Sequence, residues 1–351
     1  MKRKLVLENG LEYIGQGFAS EKEVIATLVF NTSIVGYQEI ISDPSNSGLM
    51  VCMTYPLIGN YGITDDDYES RLISLDALIV REYNDKPSNF RYTKTLSEVL
   101  EENDVVGLTH VDTRSITKVI KNEKEMLGII TDLNVSTEEA LNKIKQFQIS
   151  NNLISLISCK KIWYSRCSNP KYNIVIIDCG ITFSIINKLN SLGCNVTIVP
   201  YNTSLEKIKS LSPDGILISS APDNLGNINE LIELVKILQE KYVLLAIGNG
   251  CDILGSANDI EVFKMKNGHR GLSNPVRDVK TNKIYNVSEN HGLALKESSN
   301  VEILYRDVID NNIEGIKIND KCFGVQFYPT DDVYNNFIEM LNTFKGDKEN
   351  V

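Results

Sequence analysis

The chain has 351 residues, 42% of them hydrophobic and 23% charged, with a net charge of −10 and a pI near 5.0. Such a length and balance predict two globular domains, and the acidic surplus disfavours nucleic acid or an anionic membrane as partner. No apolar run of about 18 residues occurs, so no membrane span is expected, and the apolar stretch after the basic Met1-Lys2-Arg3-Lys4 is broken at Glu8 and Asn9, so no signal peptide is expected.

Seven scattered cysteines with no CxxC pair predict free thiols in a reducing, cytoplasmic setting, with neither a disulfide framework nor a metal site. Only three histidines occur, His110, His269 and His291, which restricts the candidates for a general base.

The first 150 residues read as β-rich. Strands are predicted at 5–8, 12–15, 24–30, 49–54 and 77–81, with turn signals at Asn9-Gly10 and Asp43-Pro44. Helical spacing follows at 95–101, 114–121 and 137–147. Residues 151–171 hold polar runs, Trp163 and Ser168-Asn169-Pro170, and read as a linker. A second domain is predicted over 172–346. Apolar runs at 173–177, 196–199, 215–218 and 242–247 alternate with helical patterns at 183–192, 205–211 and 227–239. That alternation predicts a doubly wound, mostly parallel sheet covered on both faces. Strand-like segments at 301–305, 315–318 and 322–327 and a helix at 331–344 complete it.

The strand at 242–247 runs into Gly248-Asn249-Gly250-Cys251-Asp252 and then a helix. A sharp strand-to-helix turn flanked by glycines is where hydrolytic α/β folds lift a nucleophile above the sheet. It is also an ordinary loop of a doubly wound sheet. The apex residue is Gly248, which carries no nucleophile.

Phe30-Asn31-Thr32-Ser33-Ile34-Val35-Gly36-Tyr37-Gln38-Glu39-Ile40, Asp43-Pro44-Ser45, Thr54-Tyr55-Pro56-Leu57-Ile58-Gly59-Asn60-Tyr61-Gly62 and Val111-Asp112-Thr113-Arg114 resemble the small chain of carbamoyl-phosphate synthases. Met265-Lys266-Asn267-Gly268-His269-Arg270-Gly271 and Glu289-Asn290-His291-Gly292 are similar to the same family. The resemblance implies an N-terminal small-chain domain over 1–150 and a class I glutamine-amidotransferase-like domain over 172–346. It also implies a large chain as partner, on which ATP and Mg would act, with no cofactor on this chain. The absence of a G-x-x-x-x-G-K-[ST] loop agrees with that.

The family cleaves glutamine with a Cys-His-Glu triad: a thiolate attacks, an imidazole carries the proton, and a carboxylate orients it. Carried over position by position, the cysteine falls on Gly248, the histidine on Tyr328 and the glutamate on Thr330. The loop that holds glutamine and its oxyanion reads Ser220-Ala221-Pro222-Asp223, so two glycines have become Ala221 and Asp223. Asn249 and Asp252 stand where the family has leucine and glutamine. Ser45, Asn290 and Gly292 survive, and Leu293 replaces an aromatic. The resemblance therefore implies a small chain that has lost glutamine hydrolysis, binds glutamine weakly or not at all, and supports synthesis of carbamoyl phosphate from ammonia.

Two alternatives stay open from the residues. Cys251 at the helix start with His291 as base could form a displaced amidohydrolase pair, or the chain could be a binding protein without a large chain. His110 and His269 are expected to be structural, and Asp65-Asp66-Asp67 to be a solvated loop.

Overall fold

A computed structural model describes the backbone of residues 1–349 and the side chains of residues 1–344. It divides into two compact units. The first is Met1–Ser150 together with Lys266–Gly271; the second holds Asn151–Met265 and the described residues from Leu272 onward.

The first unit carries β1 (Lys2–Leu7), β2 (Glu12–Ala19), β3 (Val24–Asn31), β4 (Leu49–Met53), β5 (Leu57–Ile58), β6 (Ala77–Ile79), β7 (Glu82–Tyr83), β8 (Val106–Thr109) and β9 (Met126–Asp132). Seven of these close a barrel in the order β1-β2-β8-β6-β4-β3-β9, and β5 pairs with β7. Side chains alternate sides along each strand. Leu5 and Leu7 pack with Leu28, Met50 and Leu108, whereas Val6 between them packs with Ile129, Ala140 and Ile144. Four helices accompany the barrel: α1 (Tyr37–Ser42), α2 (Leu96–Glu102), α3 (Thr113–Asn122) and α4 (Thr137–Gln146). Thr95 and Glu98 form a capping box at α2, and Asp112 and Ser136 cap α3 and α4.

The family-like N-terminal motifs serve architecture. Tyr37 and Tyr61 stack at 4.1 Å. The Tyr61 hydroxyl accepts from the amides of Gly36 and Tyr37, and the Gln38 side chain pairs with both backbone groups of Thr64.

The second unit holds α5 (Leu153–Ile157), β10 (Trp163–Ser165), β11 (Tyr172–Asp178), α6 (Phe183–Ser191), β12 (Cys194–Pro200), α7 (Leu205–Ser210), β13 (Gly215–Ile218), α8 (Asn229–Lys241), β14 (Val243–Ile247), α9 (Asn249–Ala257), the two ends of β15 (Val262–Asp278), whose middle Lys266–Gly271 belongs to the first unit, β16 (Ile284–Leu295), β17 (Glu302–Asp307), β18 (Ile313–Asn319), β19 (Cys322–Val325) and α10 (Asp331–Glu349). The sheet runs β10-β12-β11-β13-β14-β19-β18-β16-β15-β17. Its centre, β12 through β19, is parallel, and β10 and β18 join it antiparallel. The sheet is thus mixed around the expected parallel core.

Both faces are covered, which is why the central strands read as continuous apolar runs. Val175, Ile177 and Leu244 pack under α8 and α9 with Leu231, Val235 and Leu254. Ile174, Ile176 and Leu245 pack on the other face with α6 and α10 through Leu189, Phe337 and Leu341. Each such fully buried side chain contributes about 1.5–3 kcal/mol.

The stretch read as a linker, 151–171, instead carries α5 and the edge strand β10. Trp163 lies edge-on to Phe183, with ring centroids 6.5 Å apart. Ser168, Asn169 and Pro170, which suggested a linker, follow β10 and are exposed.

Candidate functional site

β14 enters α9 through Gly248, at φ 56° and ψ −137°. An L side chain there costs about 1–3 kcal/mol of strain. The elbow expected from sequence therefore keeps its shape. The Gly248 amide donates to the Val325 carbonyl at 2.9 Å, and its own carbonyl accepts from the Cys251 amide at 2.8 Å. Relief of strain is only half of the reason for glycine. A Cβ at position 248 would run into Ser220 Oγ and lie 2.8 Å from Ser220 Cβ. The space for a nucleophile is filled by the neighbouring loop.

The other two positions to which the resemblance assigns the triad follow β19. The Tyr328 amide donates to the Ser288 carbonyl at 2.9 Å, and its half-buried ring packs on the apolar layer that includes Phe327. The Thr330 carbonyl accepts from the Tyr334 amide at 3.2 Å at the start of α10. Neither position offers an imidazole or a carboxylate, so no proton relay can start from them.

Asp223 is the hub of the loop after β13. Its Oδ1 accepts from the Gly292 amide at 2.7 Å and from Asn249 Nδ2 at 3.2 Å. Asn249 Nδ2 also donates to the Ala221 carbonyl at 2.8 Å. Ala221 is fully buried, and Asn290 and Leu293 flank Gly292 in β16 with little exposure. Of the positions named from sequence, Ala221, Asp223, Asn249, Asp252, Gly292 and Leu293 thus meet around one end of α9. Ser45 belongs to the first unit, where its amide donates to Asp43 Oδ1 at 2.9 Å inside a short turn.

Behind Asn249 lies a buried polar cluster that sequence reading missed. Gln326 Nε2 donates to both oxygens of Asp252 at 3.0 and 2.9 Å and to the Leu293 carbonyl at 3.1 Å. His291 Nδ1 contacts the same carbonyl at 2.8 Å, and its Nε2 lies 3.4 Å from Glu314 Oε2. Burial pushes the Asp252 carboxyl up to about 8; His291 opposes the shift and Glu314 adds to it. No carboxylate partner for His291 was evident in the sequence. Glu314 is 23 residues away on β18 (314 − 291) and reaches it only through strand pairing.

Cys251 does not complete a pair with His291. Its side chain is fully buried, packed against Gly324 in the apolar layer under α9. Burial first, and then Asp252 and Glu314, hold its thiol well above the usual range, so it lacks thiolate character. Among the described residues no hydrogen bond joins the two side chains.

The remaining candidates are local. His110 sits in a turn at φ 63°, its amide donating to the Arg81 carbonyl. His269 lies half-buried in β15. The acidic run is tied down: Asp65 accepts from Thr93, Asp66 pairs with Arg91, and Asp67 accepts from Thr64. Glu289, His291 and Glu314 bring ligand atoms within 4.8 Å of one another, a set able in chemical type to hold a divalent cation.

Comparison with known proteins agrees with this architecture. Residues 5–130 match the carbamoyl-phosphate synthase small-chain CPSase domain, and residues 175–344 match the class-I glutamine amidotransferase domain. A carbamoyl phosphate synthase small chain from Staphylococcus saprophyticus is 37% identical, covering 98% of this chain and 97% of that protein. One from Bacillus thuringiensis is 36% identical, covering 100% and 99%. Among solved structures, a glutamine amidotransferase from Thermotoga maritima superposes with a TM-score of 0.37 at 14% identity, over 51% of this chain and 85% of that one. The second unit is thus a class-I glutamine-amidotransferase-type α/β domain. With its N-terminal companion, the chain belongs to the carbamoyl-phosphate synthase small-chain family.

Proposed function

We propose that this chain is a small chain that assembles with a carbamoyl-phosphate synthase large chain but no longer hydrolyses glutamine, so that nitrogen enters as free ammonia. The observation that carries the reading is the elbow itself. It retains the backbone of a nucleophile turn, yet presents Gly248 at the apex with Ser220 in the side-chain space, while Tyr328 and Thr330 stand where the relay would be. Removing a complete triad costs roughly 10⁴–10⁶ in rate, which leaves no useful supply of ammonia from glutamine.

ATP and Mg act on the large chain in this reading. The product is carbamoyl phosphate for arginine and pyrimidine synthesis in the cytoplasm. Among the described residues no helix is long and apolar enough to cross a membrane. The role left to this chain is structural or regulatory. Exposed apolar side chains on the first unit are candidates for docking: Ile34, Val35, Phe90 and Tyr92 all face solvent.

The test is co-purification with the large chain, followed by carbamoyl phosphate synthesis from glutamine and from ammonium chloride. Synthesis from ammonium alone is expected. Robust glutamine-dependent turnover with glutamate release would end the proposal.

A further inference from the structure

The loop after β13 is clamped in a way that loss of a triad does not require. Asp223 Oδ1 holds the Gly292 amide at 2.7 Å and Asn249 Nδ2 at 3.2 Å, and Asn249 returns a bond to the Ala221 carbonyl at 2.8 Å. Ser219 Oγ accepts from the Cys179 amide at 2.9 Å and donates to the Ser220 carbonyl at 3.1 Å. The loop is therefore tied to the ends of β11 and β14 and to β16, and Ser220 stands over Gly248. This is the carboxyl edge of the parallel strands, where open α/β sheets bind their ligands. A small ligand placed there would need backbone amides to take its polar end. The Gly292 amide is such a donor, and a side chain of the protein already occupies it.

We propose that Asp223 is a built-in occupant of this edge of the sheet: its carboxylate takes the Gly292 amide and, with Ser220 over the elbow, keeps an amide-bearing amino acid such as glutamine from binding. The proposal rests on the reading of the elbow as a former amide site, and it adds a separate cause of inactivity. The reacting groups are missing, and the substrate is also excluded. A ligand competing with an internal group has its apparent affinity reduced by the fraction of chains in which that group is displaced. Removing the carboxylate then raises affinity without restoring chemistry.

Isothermal titration of L-glutamine into the full chain tests this, with Asp223→Gly, Asp223→Ala and Asp223→Asn variants whose folding is checked by circular dichroism. Asp223→Gly and Asp223→Ala are expected to bind about tenfold more tightly than the parent, or more, with no glutamate released. Asp223→Asn keeps an acceptor for the Gly292 amide and should bind as weakly as the parent, which a purely structural role for Asp223 would not predict. Parent binding as tight as Asp223→Gly, or folded Gly and Ala variants with unchanged affinity, would overturn the proposal. Unfolding of both variants would overturn it too, because an occupant is dispensable for the fold. Glutamate release by the parent chain would sink the loss of hydrolysis, a different readout from the affinities compared here.

Discussion

His291 Nε2 stands 3.4 Å from Glu314 Oε2, and both side chains are wholly buried. The Leu293 carbonyl can only accept, so the proton on Nδ1 is fixed and Nε2 is the ring atom turned to Glu314. Asp252, held by Gln326, adds a second acid to the same pocket. Buried acids packed this closely ionise together only at a cost, because charge is unfavourable at low dielectric.

A pH dependence of stability follows. The folded Asp252 carboxyl titrates at about 8, against about 4 in an unfolded chain. Between those values the folded state holds a proton that the unfolded state has released. Stability is therefore expected to fall as pH rises from about 4 through about 8, and to level off above that. Asp252→Asn removes this titration and should flatten the fall. Thermal melts of both proteins from pH 5 to 9 check it; parallel curves would show that Asp252 does not titrate in that window.

The elbow yields a prediction on repair. Gly248→Cys places a Cβ at φ 56° and against Ser220. Strain and overpacking together should destabilise by about 1–3 kcal/mol, and no glutaminase activity should return, because Tyr328 and Thr330 supply neither an imidazole to shuttle the proton nor a carboxylate to orient it. Ser220→Gly in the same background should recover much of the stability and none of the rate. Melting midpoints and glutamate release measure both halves. Glutaminase turnover from the single change would contradict the description of the site.

Much of this arrangement was visible in the residues, for physical reasons that differ by element. β13 and β14 are buried on both faces, so their apolar runs stood out. The elbow was marked by Gly248 and Gly250, and Gly248, Tyr328 and Thr330 were singled out only through the family resemblance. β8 escaped because it is only four residues long and Gly107 interrupts its apolar run, although Gly107 is needed there: a Cβ would lie 2.6 Å from the Phe18 ring. β15 escaped because its 17 residues show no two-residue alternation of burial and include Asn267-Gly268 and Pro275. The six-residue α1 starts after Gly36 at φ 81°, too short for a helical period to register. The Asp252–Gln326 and His291–Glu314 pairs join residues far apart in sequence, and only the sheet order brings them together.

Tyr61 offers a test of the motif lock in the first unit. Its hydroxyl accepts from the Gly36 amide at 3.1 Å and the Tyr37 amide at 3.0 Å. Tyr61→Phe keeps the stacked ring but leaves both amides without that acceptor, at a cost of about 1–3 kcal/mol. The melting midpoint should drop by several degrees while circular dichroism stays unchanged at low temperature. An unshifted melt would show that water replaces the hydroxyl at no cost.

Phe90 is 98% exposed on a turn two residues before Tyr92, and Ile34 and Val35 of the same unit are 67% and 58% exposed. An exposed aromatic contributes little to the fold, so Phe90→Asp should change stability by no more than about 0.5 kcal/mol. A buried aromatic anchor in an interface is worth about 2 kcal/mol or more. If this patch is covered by the large chain, Phe90→Asp should weaken assembly by about 30-fold, the equivalent of that energy. Ile309, 81% exposed in the second unit, is the control: Ile309→Asp should leave assembly unchanged. Surface plasmon resonance with immobilised large chain distinguishes the two, and a loss confined to Ile309→Asp would move the docking surface from the first unit to the second.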